Sequence, residues 1–225
     1  MGKGLILGLD TCTKWLNLAV LGEDGDVRAQ VQEEVLTHTT RLVPALDALL
    51  RKSGFRREEL AAVGAVLGPG SFTGLRVGLA AAEGLSKALG VPAFGVDSLT
   101  ALAEAGAGEG LGWALLDARR RQVYARLFQK GPQGTRPMGG LLAVSPDDVL
   151  ALSSEPAWAV GDGAPLVGTW PSACRVQPAI PNLAIPAARA ARIALAAGRV
   201  PVFLLPLYVR APDAQKPKPR ALTRP

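Results

Sequence analysis

The chain alternates between short apolar runs bounded by turn residues and longer stretches with helical spacing. Leu5–Asp10 and Trp15–Leu21 are two such runs, Glu23-Asp24-Gly25 is turn chemistry, and Val27–Val35 is a third extended segment, so the opening predicts a three-stranded meander. Leu42, Val43, Leu46, Leu49 and Leu50 then recur with helical period behind Thr37, a cap residue. They predict a helix to about Lys52 that Pro44 should bend. Ala61–Leu67 reads as a buried strand and Gly68-Pro69-Gly70-Ser71 as a loop; a helix follows from Phe72 to about Leu89, stopped by Gly90-Val91-Pro92, and then a strand at Ala93–Val96. Strand, glycine loop, helix, strand is a parallel βαβ unit.

A second region begins near Ser98. Trp113–Asp117 and Gln122–Phe128 read as strands around the polar turn Ala118–Arg121; Pro146–Leu152 reads as a short helix, Ala157–Val160 as a strand ending in Gly161-Asp162-Gly163, and the Ala-rich Ile185–Ala197 as a helix. Each half therefore opens with hairpin-like strands and continues into α/β units. The division this suggests is a first α/β lobe over 1–97, a second over 98–209 whose helix near 185–197 packs back on the first, and a tail over 210–225. Four prolines in the last sixteen residues predict that this tail is extended.

Composition narrows the class. With 48% hydrophobic and 20% charged residues the chain is an ordinary globular one. No apolar run approaches the ~18 residues of a membrane helix. The apolar stretch before Asp10 is shorter than the ~7–15-residue core of a signal peptide. Two cysteines, Cys12 and Cys174, make no disulfide framework. A soluble cytoplasmic protein is expected, with no membrane association. The net charge is +6, of which residues 210–225 carry +4, so the body is nearly neutral.

The loop Gly68–Arg76 is the most distinctive local sequence. It lacks the lysine and the glycine spacing of a Walker A loop, and Ser71 follows Gly70 directly, unlike a nucleophile elbow. By spacing alone it is a tight turn with Ser71 as N-cap, an anion site or a catalytic loop. The helix behind it carries charge only at Arg76, Glu83 and Lys87, on one narrow line. It is apolar nearly all round, so one face should cover the sheet and another should meet a further layer. Gly74, Gly78, Ala82 and Ser86, every four residues, would admit a neighbouring helix closely. A helix-pair interface and ordinary burial within the chain both fit this pattern.

Candidate chemistry is sparse. His38 is the single histidine, and the position a helical His-x-x-x-His pair would need is Leu42, so no metal site is expected. Asp10-Thr11-Cys12-Thr13 ends the first strand where a metal-bound phosphate could be held, but Cys12 fills the place of the glycine that close approach requires. The turn from Asp117 to Arg120 has no glycine either.

Taken together, the string Gly-Pro-Gly-Ser-Phe-Thr-Gly-Leu-Arg with Val77-Gly78-Leu79-Ala80, Leu9-Asp10-Thr11, His38 with Arg41-Leu42-Val43-Pro44, Asp117-Ala118-Arg119-Arg120 with Val123-Tyr124, and Pro206–Asp213 closely resemble the bacterial TsaB (YeaZ) family. The resemblance implies an α/β fold of the actin-like ATPase (ASKHA, RNase H-like) class with two related lobes. It implies a role in making N6-threonylcarbamoyladenosine on the adenosine 3′ of the anticodon in ANN-decoding tRNAs. It implies a subunit with no catalytic residue and no metal, working by heterodimerisation with a catalytic TsaD-like paralogue, joined by a TsaE-like ATPase. A homodimer is expected when it is alone, contact with tRNA is indirect, and ATP or ADP binds only in the complex. The residues that would meet the partner are His38, Leu42, Leu46, Leu49, Phe72, Leu75, Arg76, Leu79, Ala82, Glu83 and Ser86. Leu79→Glu and Ala82→Arg are then expected to abolish pairing without unfolding the subunit. Asp10, Thr11, Asp117, Gly161 and Gly163 would mark a vestigial nucleotide site. Two other functions fit the residues: a self-sufficient actin-fold ATPase or small-molecule kinase, in which Asp10 and Asp117 hold metal–nucleotide, and a tRNA-binding module using the basic tail.

Overall fold

The computed structural model describes residues 4–106, 108–153, 155–201 and 203–210. The tail expected beyond Arg210 lies outside them. Two mixed sheets carry the fold. In the first, β1 (Leu5–Asp10), β2 (Trp15–Leu21) and β3 (Val27–Glu34) form the expected meander, and β4 (Leu60–Val66) and β5 (Ala93–Val96) add in parallel to β1, giving the order β3-β2-β1-β4-β5. In the second, β6 (Gly110–Arg119) pairs antiparallel with β7 (Gln122–Gly131), which carries β8 (Gly134–Pro137) and β9 (Leu142–Val144). On the other edge of β6, β10 (Trp158–Val160) and β11 (Arg175–Gln177) add in parallel. The order β11-β10-β6-β7-β8 is the first sheet's order repeated. The chain therefore folds as two related α/β lobes, as expected.

Helices α1 (His38–Lys52) and α2 (Phe72–Leu89) cover the first sheet on the side lined by Leu7, Leu9, Leu16 and Val63. Gly90, at φ 62°, ends α2 in the left-handed conformation that glycine adopts without strain. Helix α3 (Ser98–Ala105), which hydrophobic spacing did not single out, is capped by Asp97 through the Thr100 N–H (2.8 Å) and packs on the second sheet. Lys130 Nζ closes its far end by donating to the Ala103, Glu104 and Gly106 carbonyls. Pro146–Leu152 is one turn of 3-10 helix running into α4 (Val149–Leu152).

The last helix, α5 (Ala184–Ala196), crosses the open face of the first sheet. Its contact surface is Ala184, Ala187, Ala188 and Ala191, all buried, and the strands answer with Gly8 and Gly64. A Cβ on Gly8 would sit 1.8 Å from the Ala184 carbonyl, and one on Gly64 2.1 Å from that of Ala187. Asn182 fixes the start of this helix: its amide donates to the Val31 carbonyl (3.0 Å) and its Oδ1 accepts from the Ala184 N–H (3.1 Å). A further apolar cluster joins the sheets, with Cys12, Val66 and Leu75 from the first half against Leu99, Leu102, Leu116, Tyr124 and Leu183 from the second.

Candidate functional site

The glycine loop, the β1–β2 turn and the β6–β7 turn meet where the sheets adjoin. Ser71 caps α2 as expected, its Oγ accepting the Gly74 N–H at 3.2 Å. The glycines, however, cradle this chain's own backbone and not an anion. A Cβ on Gly70 would approach the Cys12 carbonyl to 2.2 Å, one on Gly74 the Thr11 carbonyl to 2.1 Å, and one on Gly78 the Thr11 hydroxyl to 2.2 Å. Ser71 N–H donates to the Cys12 carbonyl (2.6 Å) and Thr11 Oγ1 to the Gly74 carbonyl (2.7 Å). The row Gly74, Gly78, Ala82 thus faces the first lobe's own strands, which corrects the expectation that it admits a second helix.

Asp10 is fully buried and already committed: Oδ1 accepts the Cys12 N–H (2.8 Å) and Oδ2 the Asn17 amide (2.7 Å). Burial pushes its carboxyl above the usual range, with those two hydrogen bonds opposing. A cleft of about 420 Å³ does open beside it, walled by Thr13, Lys14, Ser71, Asp117, Asp162 and Tyr208 among others. Of the five residues expected at a nucleotide site, Asp117 alone lines it. Asp10 and Thr11 are sealed beneath the turn, and Gly161 and Gly163 are buried against the Leu115 backbone. Asp117 itself accepts the Arg119 N–H (2.7 Å) and pairs with its guanidinium (3.0 Å). Asp162 accepts the Asp117 N–H (2.9 Å), and burial together with the Asp117 charge pushes its carboxyl up. These residues are not arranged for a metal–nucleotide: Asp10 is fully buried with a hydrogen bond on each oxygen, and the loop's close approaches are taken by the chain's own backbone. Among the described residues no three His, Cys, Asp or Glu side chains gather to hold a metal. His38 is half-buried at the start of α1, its Nε2 3.2 Å from the Trp15 carbonyl.

The helix faces are arranged differently from the expectation. Leu42, Leu46 and Leu49 of α1, and Leu75, Leu79 and Ala82 of α2, are all buried within the chain. Amphipathic helices turn their longest apolar line to the nearest sheet, so these six are core residues and not a free surface. The charged line of α2 is also occupied. Segment 203–208 runs along it: Leu204 N–H donates to Glu83 Oε1 (2.8 Å), Lys87 lies 5.5 Å from the Phe203 ring, and Arg76 Nε donates to Tyr208 Oη (3.2 Å). Phe72 stacks on Tyr208 with centroids 4.9 Å apart, and Ser86 Oγ donates to the Val91 carbonyl (2.6 Å). What remains open on α2 is an uncharged strip, Thr73, Ala80, Gly84 and Ala88, beside the half-buried Val77 and Ala81, with no atom within 4 Å of a Cβ placed on Gly84. On α1, Val43 is 65% exposed. Helical spacing placed both strips; only packing against the sheet distinguishes the inner from the outer.

No helix among the described residues is long and apolar enough to cross a membrane. The sequence profile of the TsaD family, tRNA N6-adenosine threonylcarbamoyltransferase, matches residues 33–163. The tRNA threonylcarbamoyladenosine biosynthesis protein TsaB of Bacillus subtilis is 36% identical over 125 residues, 55% of each chain, so that match spans about half of its length. An uncharacterized protein of Mycobacterium tuberculosis is 34% identical over 219 residues, 93% of each chain. The solved structure of YeaZ from Pseudomonas aeruginosa superposes with a TM-score of 0.77 at 26% identity, covering 92% of this chain and all of that one. The fold, the glycine loop and these likenesses agree, and the chain belongs to the TsaB (YeaZ) family.

Proposed function

We propose that this chain is the non-catalytic partner of a TsaD-like transferase that forms N6-threonylcarbamoyladenosine in ANN-decoding tRNAs. Its likeness to named TsaB proteins supports the pathway. One observation carries the non-catalytic role: the place where an actin-like fold would hold metal–nucleotide is filled by the chain's own β1–β2 turn, with Asp10 fully buried and hydrogen-bonded to Cys12 and Asn17. The contribution to catalysis is then the shape offered to the partner. The uncharged strip of α2, with the exposed Val43 of the neighbouring helix α1, supplies an apolar seam, which suits a TsaD-like paralogue in the complex and a second copy of this chain when it is alone. A TsaE-like ATPase joins the assembled pair, and any ATP or ADP is held at a joint site of the complex.

Co-purification of the full chain with a TsaD-like protein, with threonylcarbamoyladenosine measured on an ANN-decoding tRNA, tests this reading. Val43→Glu with Gly84→Arg should abolish both pairing and modification while the circular dichroism of the lone subunit is unchanged. Wild-type pairing by that double variant would refute the seam. ATP turnover by the isolated chain, lost in Asp10→Ala, would refute the non-catalytic role.

A further inference from the structure

Segment 203–208 does more than cover one line of α2; it sets the charge along one border of the open seam. On a helix of 3.6 residues per turn, Ala80 and Gly84 lie beside the line Arg76, Glu83 and Lys87, so the segment flanks the uncharged strip. Phe203 and Leu205, on either side of the bonded Leu204, are exposed and widen its apolar surface. Glu83 is turned inward: Oε1 accepts the Leu204 N–H, Oε2 lies 3.4 Å from Lys87 Nζ, and the side chain is 22% exposed. Arg76 and Lys87 are exposed. Each rests on an aromatic ring, the Arg76 guanidinium 3.9 Å from the Phe72 centroid and Lys87 Nζ 5.5 Å from that of Phe203. Arg76 also donates to Tyr208 Oη. Its described contacts are thus a ring and a hydroxyl, and no carboxylate answers its charge. A cation held in this way has given up side-chain freedom before a partner arrives, so meeting an anion costs it less entropy.

The two cations discriminate between occupants. The smallest open residues, Ala80 and Gly84, allow the closest approach of another helix. A second copy packed antiparallel about a two-fold axis midway between them sets Arg76 of one chain beside Lys87 of the other, at both ends of the contact. A parallel two-fold pair sets Arg76 on Arg76 and Lys87 on Lys87. Either arrangement joins like charges. We propose that Arg76 and Lys87 choose the occupant of the seam: they favour a helix of the TsaD-like partner bearing carboxylates about 16 Å apart, the rise of eleven helical residues, and disfavour a second copy of this chain. The identity of the favoured partner rests on the function proposed above; the bias against self-pairing does not. Charge at the edge of an interface acts in this way, suppressing wrong partners more than it adds affinity for the right one.

Sedimentation equilibrium of the full chain, alone and with a TsaD-like protein, across a salt series tests this. For the wild type, added salt should strengthen self-association and weaken the mixed pair, because screening removes a repulsion from one and an attraction from the other. Lys87→Glu should tighten the homodimer about tenfold, since the new carboxylate lies beside Arg76 of the other copy, and should weaken the mixed pair about tenfold. Arg76→Gln/Lys87→Gln should also tighten the homodimer, abolish its response to salt and weaken the mixed pair. Arg136→Glu makes the same change of charge at an exposed position of β8 and should move neither. Equal effects of Arg136→Glu and Lys87→Glu would overturn the proposal, as would a wild-type homodimer that weakens with salt. Failure to form any mixed pair, with a homodimer that responds as stated, would refute the proposed function and leave the bias against self-pairing standing. A mixed pair of wild-type strength in every variant would do the reverse.

Discussion

Asp10 stands at the end of the first strand, where a carboxylate could hold a metal-bound phosphate if it were open to solvent. Its position was legible from the run Leu5–Asp10; its partners were not, because Asn17 reaches it only through the β1–β2 register that pairs the two residues. With a folded pKa above 3.8, this carboxyl favours the fold most when protonated, and that contribution is lost as pH rises through the folded value. Asp10→Asn should therefore flatten the rise in melting temperature on acidification from neutral pH, measured by scanning calorimetry, and should leave complex activity at the wild-type level. Activity lost in a folded Asp10→Asn complex would restore the carboxylate to the chemistry. The β6–β7 turn, where Arg119, Arg120 and Arg121 all have positive φ (62°, 53° and 58°), yields a second residue-scale expectation. Left-handed backbone costs a non-glycine residue roughly 1–2 kcal/mol, so Arg120→Asn should raise stability by up to about 1 kcal/mol, read from urea unfolding.

Helix α2 shows what periodicity can and cannot say about an element. Its ends were legible, because Ser71 and Gly90 are chemically suited to start and stop a helix. Its width of apolar surface was also legible. The assignment of faces was not, since different lines of the same helix meet different neighbours or none. The first sheet takes Leu79 and Ala82, the cluster between the sheets takes Leu75, and segment 203–208 takes Arg76 and Glu83, so the uncharged strip through Gly84 stays open. Substitution should separate them. Leu79→Ala should cost about 2–5 kcal/mol in urea unfolding, as truncation in a packed core does. Leu79→Glu buries a carboxylate as well and should unfold the lone subunit. It therefore cannot serve as a clean interface variant, whereas Gly84→Arg enters open space. Helix α3 and strands β8, β9 and β11 escaped the sequence for a different reason. They are short, and tertiary partners such as Lys130 fix them more than internal spacing does.

At the scale of the whole molecule, the two sheets share one strand order, and the sequence showed this only as a loose echo, because pairing order is a property of contacts between distant segments. The cluster joining Cys12, Val66 and Leu75 to Leu102, Leu116 and Tyr124 ties the lobes together. Segment 203–210 adds a second tie, bonded to Leu67 and Glu83 on one lobe and to Ala118 on the other. Hinge closure around a ligand, the usual work of a two-lobed fold, would have to break both. Gly64→Val should push α5 off its sheet and cost at least about 1–3 kcal/mol by overpacking, with a lower unfolding midpoint in urea. An unchanged midpoint would mean that the alanine ridge is not seated as described.

The seating of that ridge on Gly8 has a consequence for synthesis. Strand β1 is completed by a helix made only after the strands of both sheets, so the first sheet must wait with one face bare while the second is translated. Its pairing is set by a contact of very long sequence separation, which slows folding and prolongs exposure of apolar surface. The face left waiting is lined by Ile6, Ala19, Leu21, Ala62 and Phe94, with the small residues Gly8 and Gly64 between them. That patch is where a nascent chain of this protein would be held by a chaperone, and where a chain released before residue 184 would aggregate.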